Sequence, residues 1–173
     1  WPDLDLFDAD AQIAFEEICE RVTRACFLVP GLKSRVTDKR TGKNREPFEF
    51  VSRGGLTDLV DHLSNGQKIS EIITLSGTQI FTEKVPIEDK MQDVERECSV
   101  EIALRWVDGY DTIVQSFVNT IPTTQGGTHL AGFDRALTRS VNDILLKETR
   151  KLAKLAKENK NRASKEDVQE GLI

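Results

Sequence analysis

GGTHLAGFDRALTR, residues 126–139, is the stretch of sequence that decides the fold. Two adjacent glycines, Gly126 and Gly127, permit a sharp backbone bend, and Thr128 is a residue type that caps helices. The stretch therefore predicts a tight corner that leads from a strand into a helix extending past Lys147. The apolar residues that repeat at helical spacing after the corner are Leu130, Phe133, Ala136, Leu137, Val141, Ile144 and Leu145.

The remainder of the chain predicts an alternation of helices and strands. Apolar residues at a period near 3.6 indicate helices, and alternation with a period of two indicates strands. The other predicted helices are residues 9–26, residues 56–63 ending at Asn65-Gly66, and a short helix that ends at Gly171 and has a capping box at 164–167.

The strands are expected to form hairpins. Residues 32–37 and 48–51 predict one hairpin around a polar turn, and a third strand is expected near residues 79–85. The alternation over residues 98–106 predicts a strand that turns at Asp108-Gly109 and pairs with residues 112–119 as the most regular hairpin of the sheet. The acidic stretch 86–97 between these strands predicts an exposed, inserted loop.

The corner also carries a family resemblance. Together with Ser116 to Ile121, it resembles the signature of the bacterial type IIA topoisomerases, found in the ATPase component of DNA gyrase and in its topoisomerase IV counterpart. In that family the structural signature lies in the second, transducer domain, and here it comprises Gly126, Gly127, Thr128, His129, Gly132 and Phe133. Other matching segments follow the family order; they are 27–32, 36–40, 48–50, 54–60, 100–110 and 166–172.

The resemblance implies an α/β fold, an α+β two-layer sandwich similar to domain 2 of ribosomal protein S5. In that fold a long helix joins two parallel strands through a left-handed crossover, whereas general rules alone predict a right-handed one. We expect a single transducer-domain fragment over residues 1–173, truncated at both ends. The family places an ATP-binding domain before Trp1, and a final strand with a Gln-Thr-Lys loop after Ile173.

The resemblance further implies part of an ATP-dependent type II DNA topoisomerase. The transducer would relay ATP binding and hydrolysis to the DNA gate and line the cavity for the transported duplex. The parent protein would use ATP and magnesium, and its partners would be DNA, the DNA-cleaving gyrase A protein in a heterotetramer, and a second gyrase B copy. The resemblance implies that the parent protein is located in the cytoplasm and associates with the nucleoid. We expect no membrane contact, because no apolar run approaches the ~20 residues of a membrane span. The sequence does not separate gyrase from topoisomerase IV.

Basic residues on the signature helix are the candidates for DNA contact. Arg135 and Arg139 are four residues apart on one helical face, where both can meet phosphate. Alternatively, Asp134, Asp143 or neighbouring carboxylates pair with both arginines; family members usually carry a basic residue where this chain has Asp134. The net charge of -5 restricts any such contact to a local basic surface. Further candidates are Lys147, Arg150, Lys151 and Lys154.

No catalytic residue, cofactor site or metal site is predicted in this fragment, which alone should be inactive. His129 adjoins Thr128, but neighbouring residues of a helical turn point in different directions, and His62 is expected on the surface. The odd set of three cysteines, Cys19, Cys26 and Cys98, predicts buried reduced thiols.

Two other interpretations compete with the topoisomerase one. The first is a transducer-like module of a mismatch-repair protein or a chaperone with the same nucleotide-binding fold, although these lack the Gly-Gly-Thr-His corner. The second is a stand-alone S5-like RNA-binding domain, which the acidic net charge disfavours.

Overall fold

A computed structural model of the chain describes residues 13–40, 45–87, 90–152 and 162–173, without the side chains of 149–152. It contains two compact units, residues 1–59 and 60–173.

The first unit is a helix on a hairpin. Helix α1 (Phe15–Leu28) packs against strands β1 (Lys33–Val36) and β2 (Phe48–Val51), which pair antiparallel. Phe27 is buried beneath the hairpin, where its ring meets that of Phe50 edge-on at 5.2 Å. The helix and hairpin predicted for this region are confirmed, with a later helix start, while the predicted turn residues 41–44 lie outside the described residues.

Helix α2 (Leu56–Leu63) forms as predicted. It stops just before Asn65-Gly66, and Gly66 has a φ of 120°, in the range that favours glycine. Val60 of this helix belongs to the core of the second unit, with Val107 and Ile173. Leu63, Ile72, Ala103 and Ile113 pack around that core.

A long antiparallel ribbon occupies the stretch expected to be a loop. Strand β3 (Ile73–Ile87) pairs with β4 (Lys90–Leu104) in continuous register from Ile73↔Leu104 to Ile87↔Lys90. The prediction of an exposed loop over residues 86–97 is therefore wrong. Its acidic residues mostly decorate one face of the ribbon, while the other face, which includes Leu75, Ile102 and Phe81, is largely apolar.

The partner predicted for residues 98–106 is also wrong. Residues 98–104 pair with β3, and residues 111–116 form no strand. Two short strands follow, β5 (Phe117–Val118) and β6 (Ile121–Pro122), joined through Asn119 and Thr120, which have φ angles of 47° and 73°. Strand β3 is longer than residues 112–119 and can form more backbone hydrogen bonds with β4. It therefore pairs with β4 in place of residues 112–119.

The chain then passes through two helices and returns to the end of β4. Helix α3 (Thr128–Leu152) is followed by α4 (Lys165–Gln169). The backbones of Ile173 and Arg105 exchange two hydrogen bonds of 2.9 Å, and Ile113 donates to Leu172 at 2.9 Å on the other side. The C-terminal segment, residues 171–173, thus lies between two parts of the chain and is buried.

The mixed helix and strand class is confirmed. Helix α3 packs against α4, while Ile144 and Leu145 remain 60% and 44% exposed. No extensive packing of α3 on the β3–β4 ribbon is seen among the described residues, and the left-handed crossover stays a prediction. Within that same part of the chain, no helix combines the length and apolar character needed to traverse a bilayer.

Candidate nucleic-acid interface

The glycine corner positions the first turn of α3. Gly126 and Gly127 have φ angles of 75° and 154°, which other residues rarely adopt. Thr128 is the first helical residue, so Gly127, and not Thr128 as predicted, occupies the position before the helix.

A hydroxyl and imidazole cluster fastens this corner. The Nε2 atom of His129 lies 3.2 Å from Thr123 Oγ1 and 3.4 Å from Ser116 Oγ, and the two hydroxyls are hydrogen-bonded to each other. Among the described residues, the partners of the exposed imidazole are these two hydroxyls, and no carboxylate contacts it. The contacts instead connect β5 and β6 to the helix start, a role that no sequence pattern indicated.

Arg135 and Arg139 line one open cleft of about 620 Å³ beside α3. Arg139 lies 4.0 Å from Asp143, with 85% and 59% of the two side chains exposed. So exposed a pair contributes little, and the Arg139 guanidinium stays available to a ligand. Arg135 has no ion pair within the part of the chain that the structure describes.

Asp134 takes a different partner from the arginines that the sequence suggested. Its carboxylate accepts from Lys165 Nζ at 2.7 Å and from Gln169 Nε2 at 2.7 Å, and its side chain is only 19% exposed. The hydrogen bond to Asp134 raises the pKa of Lys165. Asp134 therefore ties α4 to α3 and leaves Arg135 unneutralised.

A second tie comes from Asn142 on α3. Its side-chain amide donates to the carbonyl of Ala163 and accepts from the backbone N–H of Ala163, both at 2.9 Å. Ser164 and Asp167 then form the predicted capping box of α4, in which Asp167 accepts from the Ser164 N–H at 2.8 Å. This bond lowers the pKa of Asp167. As a result, Arg162 and Lys165 stand at the edge of the same cleft.

The remaining basic candidates are only partly located. Lys147 is exposed on α3. The side chains of Arg150 and Lys151, and all of Lys154, lie outside the described residues. The structure thus brings together Arg135 and Arg139, and it adds Arg162 and Lys165, which no sequence pattern marked as candidates for DNA contact.

A buried cation that the sequence did not indicate lies near the end of β4. Arg105 is 4% exposed, and its guanidinium bonds to Asp61 at 2.5 Å, while Lys68 reaches the same carboxylate oxygen at 2.8 Å. Hydrogen bonds from Lys68 and Arg105 lower the pKa of Asp61. The Arg105 Nε atom is buried without a partner. Arg105 and Asp61 are 44 positions apart in sequence, so local patterns could not reveal the pair.

Cysteines and histidines show no metal-binding arrangement among the described residues, which contain no group of three or more side chains suited to a metal ion. Cys26 is buried and Cys19 is half-buried, but Cys98 is exposed, so the prediction of three buried thiols is wrong for Cys98. It lies on the largely apolar face of the ribbon, opposite Gln79, with no layer covering it in the described ranges. His62 is exposed, as expected.

The fold and the cleft define a mixed helix and strand module that presents basic side chains from one long helix. A family model described as DNA gyrase B matches residues 55–173. The chain belongs to the DNA gyrase B family. This match favours the topoisomerase interpretation over the mismatch-repair, chaperone and ribosomal alternatives.

Similar proteins agree with this family. The chain is 34% identical to the gyrase B protein of Enterococcus faecalis and 37% identical to that of Clostridium acetobutylicum, with 99% of the chain covered in both cases. It spans 24% and 23% of those proteins, about a quarter of their length.

Two solved structures are similar to the chain. The 43K ATPase domain of Thermus thermophilus gyrase B, in complex with an aminocoumarin, matches with a TM-score of 0.63 and 25% identity, over 99% of this chain and 40% of that one. The DNA gyrase B protein of Myxococcus xanthus matches with a TM-score of 0.66 and 23% identity, over 99% and 41%, and supports the fold alone.

Proposed function

We propose that the chain is the transducer region of the gyrase B component in a bacterial type II DNA topoisomerase. The whole protein would hydrolyse ATP, with magnesium, to pass one DNA duplex through another. Support comes from the family match over residues 55–173 and from the similarity to a gyrase B structure described as an ATPase domain. Its partners would be DNA, the DNA-cleaving gyrase A protein in a heterotetramer, and a second gyrase B copy, in the cytoplasm and on the nucleoid.

The proposed role of this region is mechanical. Helix α3 has 25 residues and is therefore about 37 Å long. The hydroxyl and imidazole cluster holds its start, and Asp134 and Asn142 tie it to the returning segment. A helix held in this way can move with its neighbours as a rigid body and relay closure of an ATP-binding domain towards a DNA gate.

DNA contact is assigned to the exposed basic face of α3. The observation that carries this proposal is that Arg135 and Arg139 line one cleft while Asp134 is engaged elsewhere. Guanidinium groups suit phosphate because they donate several hydrogen bonds in a plane. Lys147, Arg150 and Lys151, which lie further along the same helix, remain further candidates for DNA contact.

Titration of a short fluorescent duplex with the 173-residue chain tests the DNA contact. Binding should weaken with salt, and the double variant Arg135→Ala/Arg139→Ala should bind more weakly. Each lost phosphate contact should lower the slope of log K against log salt by about 0.9. Arg53→Ala, an exposed arginine of the first unit, is the matched control. Equal binding by the double variant and the parent chain at every salt concentration would contradict the proposal.

An ATPase assay tests the prediction that the fragment alone does not hydrolyse ATP. The purified chain should release no phosphate from ATP above the buffer rate, because the nucleotide-binding domain is assigned to another part of the parent protein. Turnover that is lost in His129→Ala would instead place a catalytic group at the glycine corner.

A further inference from the structure

Four cations line the cleft beside α3, and they come from two segments of the chain. Arg135 and Arg139 belong to α3, whereas Arg162 and Lys165 belong to the segment that precedes and begins α4. Only two carboxylates, Asp134 and Asp143, line the same cleft among the described residues. The cleft therefore carries an excess of positive charge in a chain whose net charge is -5.

One carboxylate is firmly paired with a cation of the cleft, and the other is only loosely paired. Asp134 binds Lys165 at 2.7 Å, and Asp143 faces Arg139 at 4.0 Å. Arg135 and Arg162 have no ion pair with any described residue. Both line the cleft, and Arg162 is exposed, so guanidinium donors from both segments are available to a ligand there.

The backbone that follows Arg162 is held against α3. Ala163 is held through both its backbone groups by the Asn142 side chain, and Ser164 begins the capping box of α4. This anchored backbone keeps Arg162 at the edge of the cleft, from where its exposed side chain can reach a ligand.

We propose that Arg162 forms the second wall of a phosphate clamp, facing Arg135 across the cleft, and that the clamp binds the backbone of duplex DNA. The ion pair between Lys165 and Asp134 neutralises the Asp134 carboxylate and fastens the segment that carries Arg162 to α3. The inference rests on the proposed function, since it extends the DNA surface from α3 to the segment before α4. The excess of cations complements a phosphodiester backbone, which carries one charge per nucleotide.

The test compares single variants in the same duplex titration. Arg162→Ala should weaken binding several-fold and lower the salt slope by about 1, as expected for one lost phosphate contact. Arg162→Lys keeps the charge and should restore the salt slope. Because Arg162 is exposed, neither variant should change the circular dichroism spectrum or the unfolding midpoint. Arg53→Ala again serves as the control.

Three outcomes separate this inference from the proposed function. Weaker binding by Arg162→Ala, with a coupling to Arg135→Ala in a double-mutant cycle, supports the clamp. Unchanged binding by Arg162→Ala together with weaker binding by Arg135→Ala/Arg139→Ala overturns the clamp and leaves the helix face as the DNA surface. Unchanged binding by all of these variants overturns both.

Discussion

Two glycine turns, one before α3 and one after α4, place very different demands on their glycines. At the first, a Cβ atom on Gly126 would lie 3.7 Å from the end of the Leu130 side chain, which is ordinary contact. At the second, a Cβ atom on Gly171 would lie 2.4 Å from the carbonyl oxygen of Val107 and 2.9 Å from that of Gly109. Both have positive φ angles, 75° and 68°.

The difference shows that the glycine corner before α3 is not where the backbone is most confined. Gly126 is required by its backbone angle, whereas Gly171 is required by its angle and by two backbone oxygens that cannot move independently. Gly171 precedes Leu172 and Ile173, which are buried beside the end of β4. The confined turn therefore anchors the core of the second unit.

The largest effect is expected for Gly171→Ala. The added methyl group must strain the backbone and push the Val107 and Gly109 carbonyls away, so the free energy of unfolding should fall by at least about 2 kcal/mol. Urea unfolding followed by tryptophan fluorescence measures this, because the Trp106 indole donates to the Val168 carbonyl beside this turn.

Gly77→Ala is the control for this experiment. Gly77 lies in β3 with no atom within 4 Å of its added Cβ position, so the substitution should not lower the midpoint. Similar unfolding midpoints for Gly171→Ala and the parent chain would mean that residues 171–173 do not close against β4.

A smaller loss is expected at the glycine corner. Gly126→Ala should cost about 1–2 kcal/mol, because alanine is strained in the left-handed region but meets no close atom there. Asparagine tolerates this region, so Gly126→Asn should recover part of the loss. At Gly171 asparagine should recover nothing, since any Cβ atom meets the same oxygens. Equal recovery at both sites would remove the distinction between the two turns.

The sequence predicted those features that a few neighbouring residues determine. Asn65-Gly66 ended α2, and Ser164 with Asp167 capped α4, because each signal and its partner lie within one turn of chain. The strand predicted near residues 79–85 lies within β3, and most of the one predicted over 98–106 lies within β4. Their pairing and their extension through 86–97 were missed because acidic residues at 93, 95 and 97 alternate on the polar face and resemble a solvated loop. The pairing of Arg105 with Asp61 left no local signal at all.

The cleft shows the same limit at the candidate site. The helical spacing of Arg135 and Arg139 was sufficient to place them together. Arg162 and Lys165 joined them only because Asn142 and Asp134 hold the later segment against α3, across 21 and 31 residues of chain for the two ties. Such contacts depend on how the chain folds back, which periodicity does not encode.

A third prediction concerns the capping box that holds this returning segment. Ser164→Ala should cost about 1 kcal/mol, the usual effect of removing an N-cap hydroxyl. The lowered pKa of Asp167 means that its contribution is present above the ordinary pKa of 3.8 and is lost as the pH falls through the lower folded value. Unfolding midpoints of the parent chain and Asp167→Asn should therefore converge at acidic pH. A constant difference at every pH would show that the carboxylate charge has no part in the cap.

The smallest change in the free energy of unfolding is expected for Gly132→Ala. Whether this change is stabilising or destabilising shows if another surface packs against α3 at this position. In α3 an added Cβ at Gly132 meets no atom within 4 Å, so Gly132→Ala should stabilise the chain by about 0.5–1 kcal/mol through helix propensity. The measurement is the same urea titration, with Gly171→Ala as the destabilised reference. If Gly132→Ala destabilises instead, another surface must approach this face of α3 closely. That surface would be the sheet on which the sequence predicts α3 to pack. Gly132 would then be part of the family signature because only a residue without a side chain fits against the sheet.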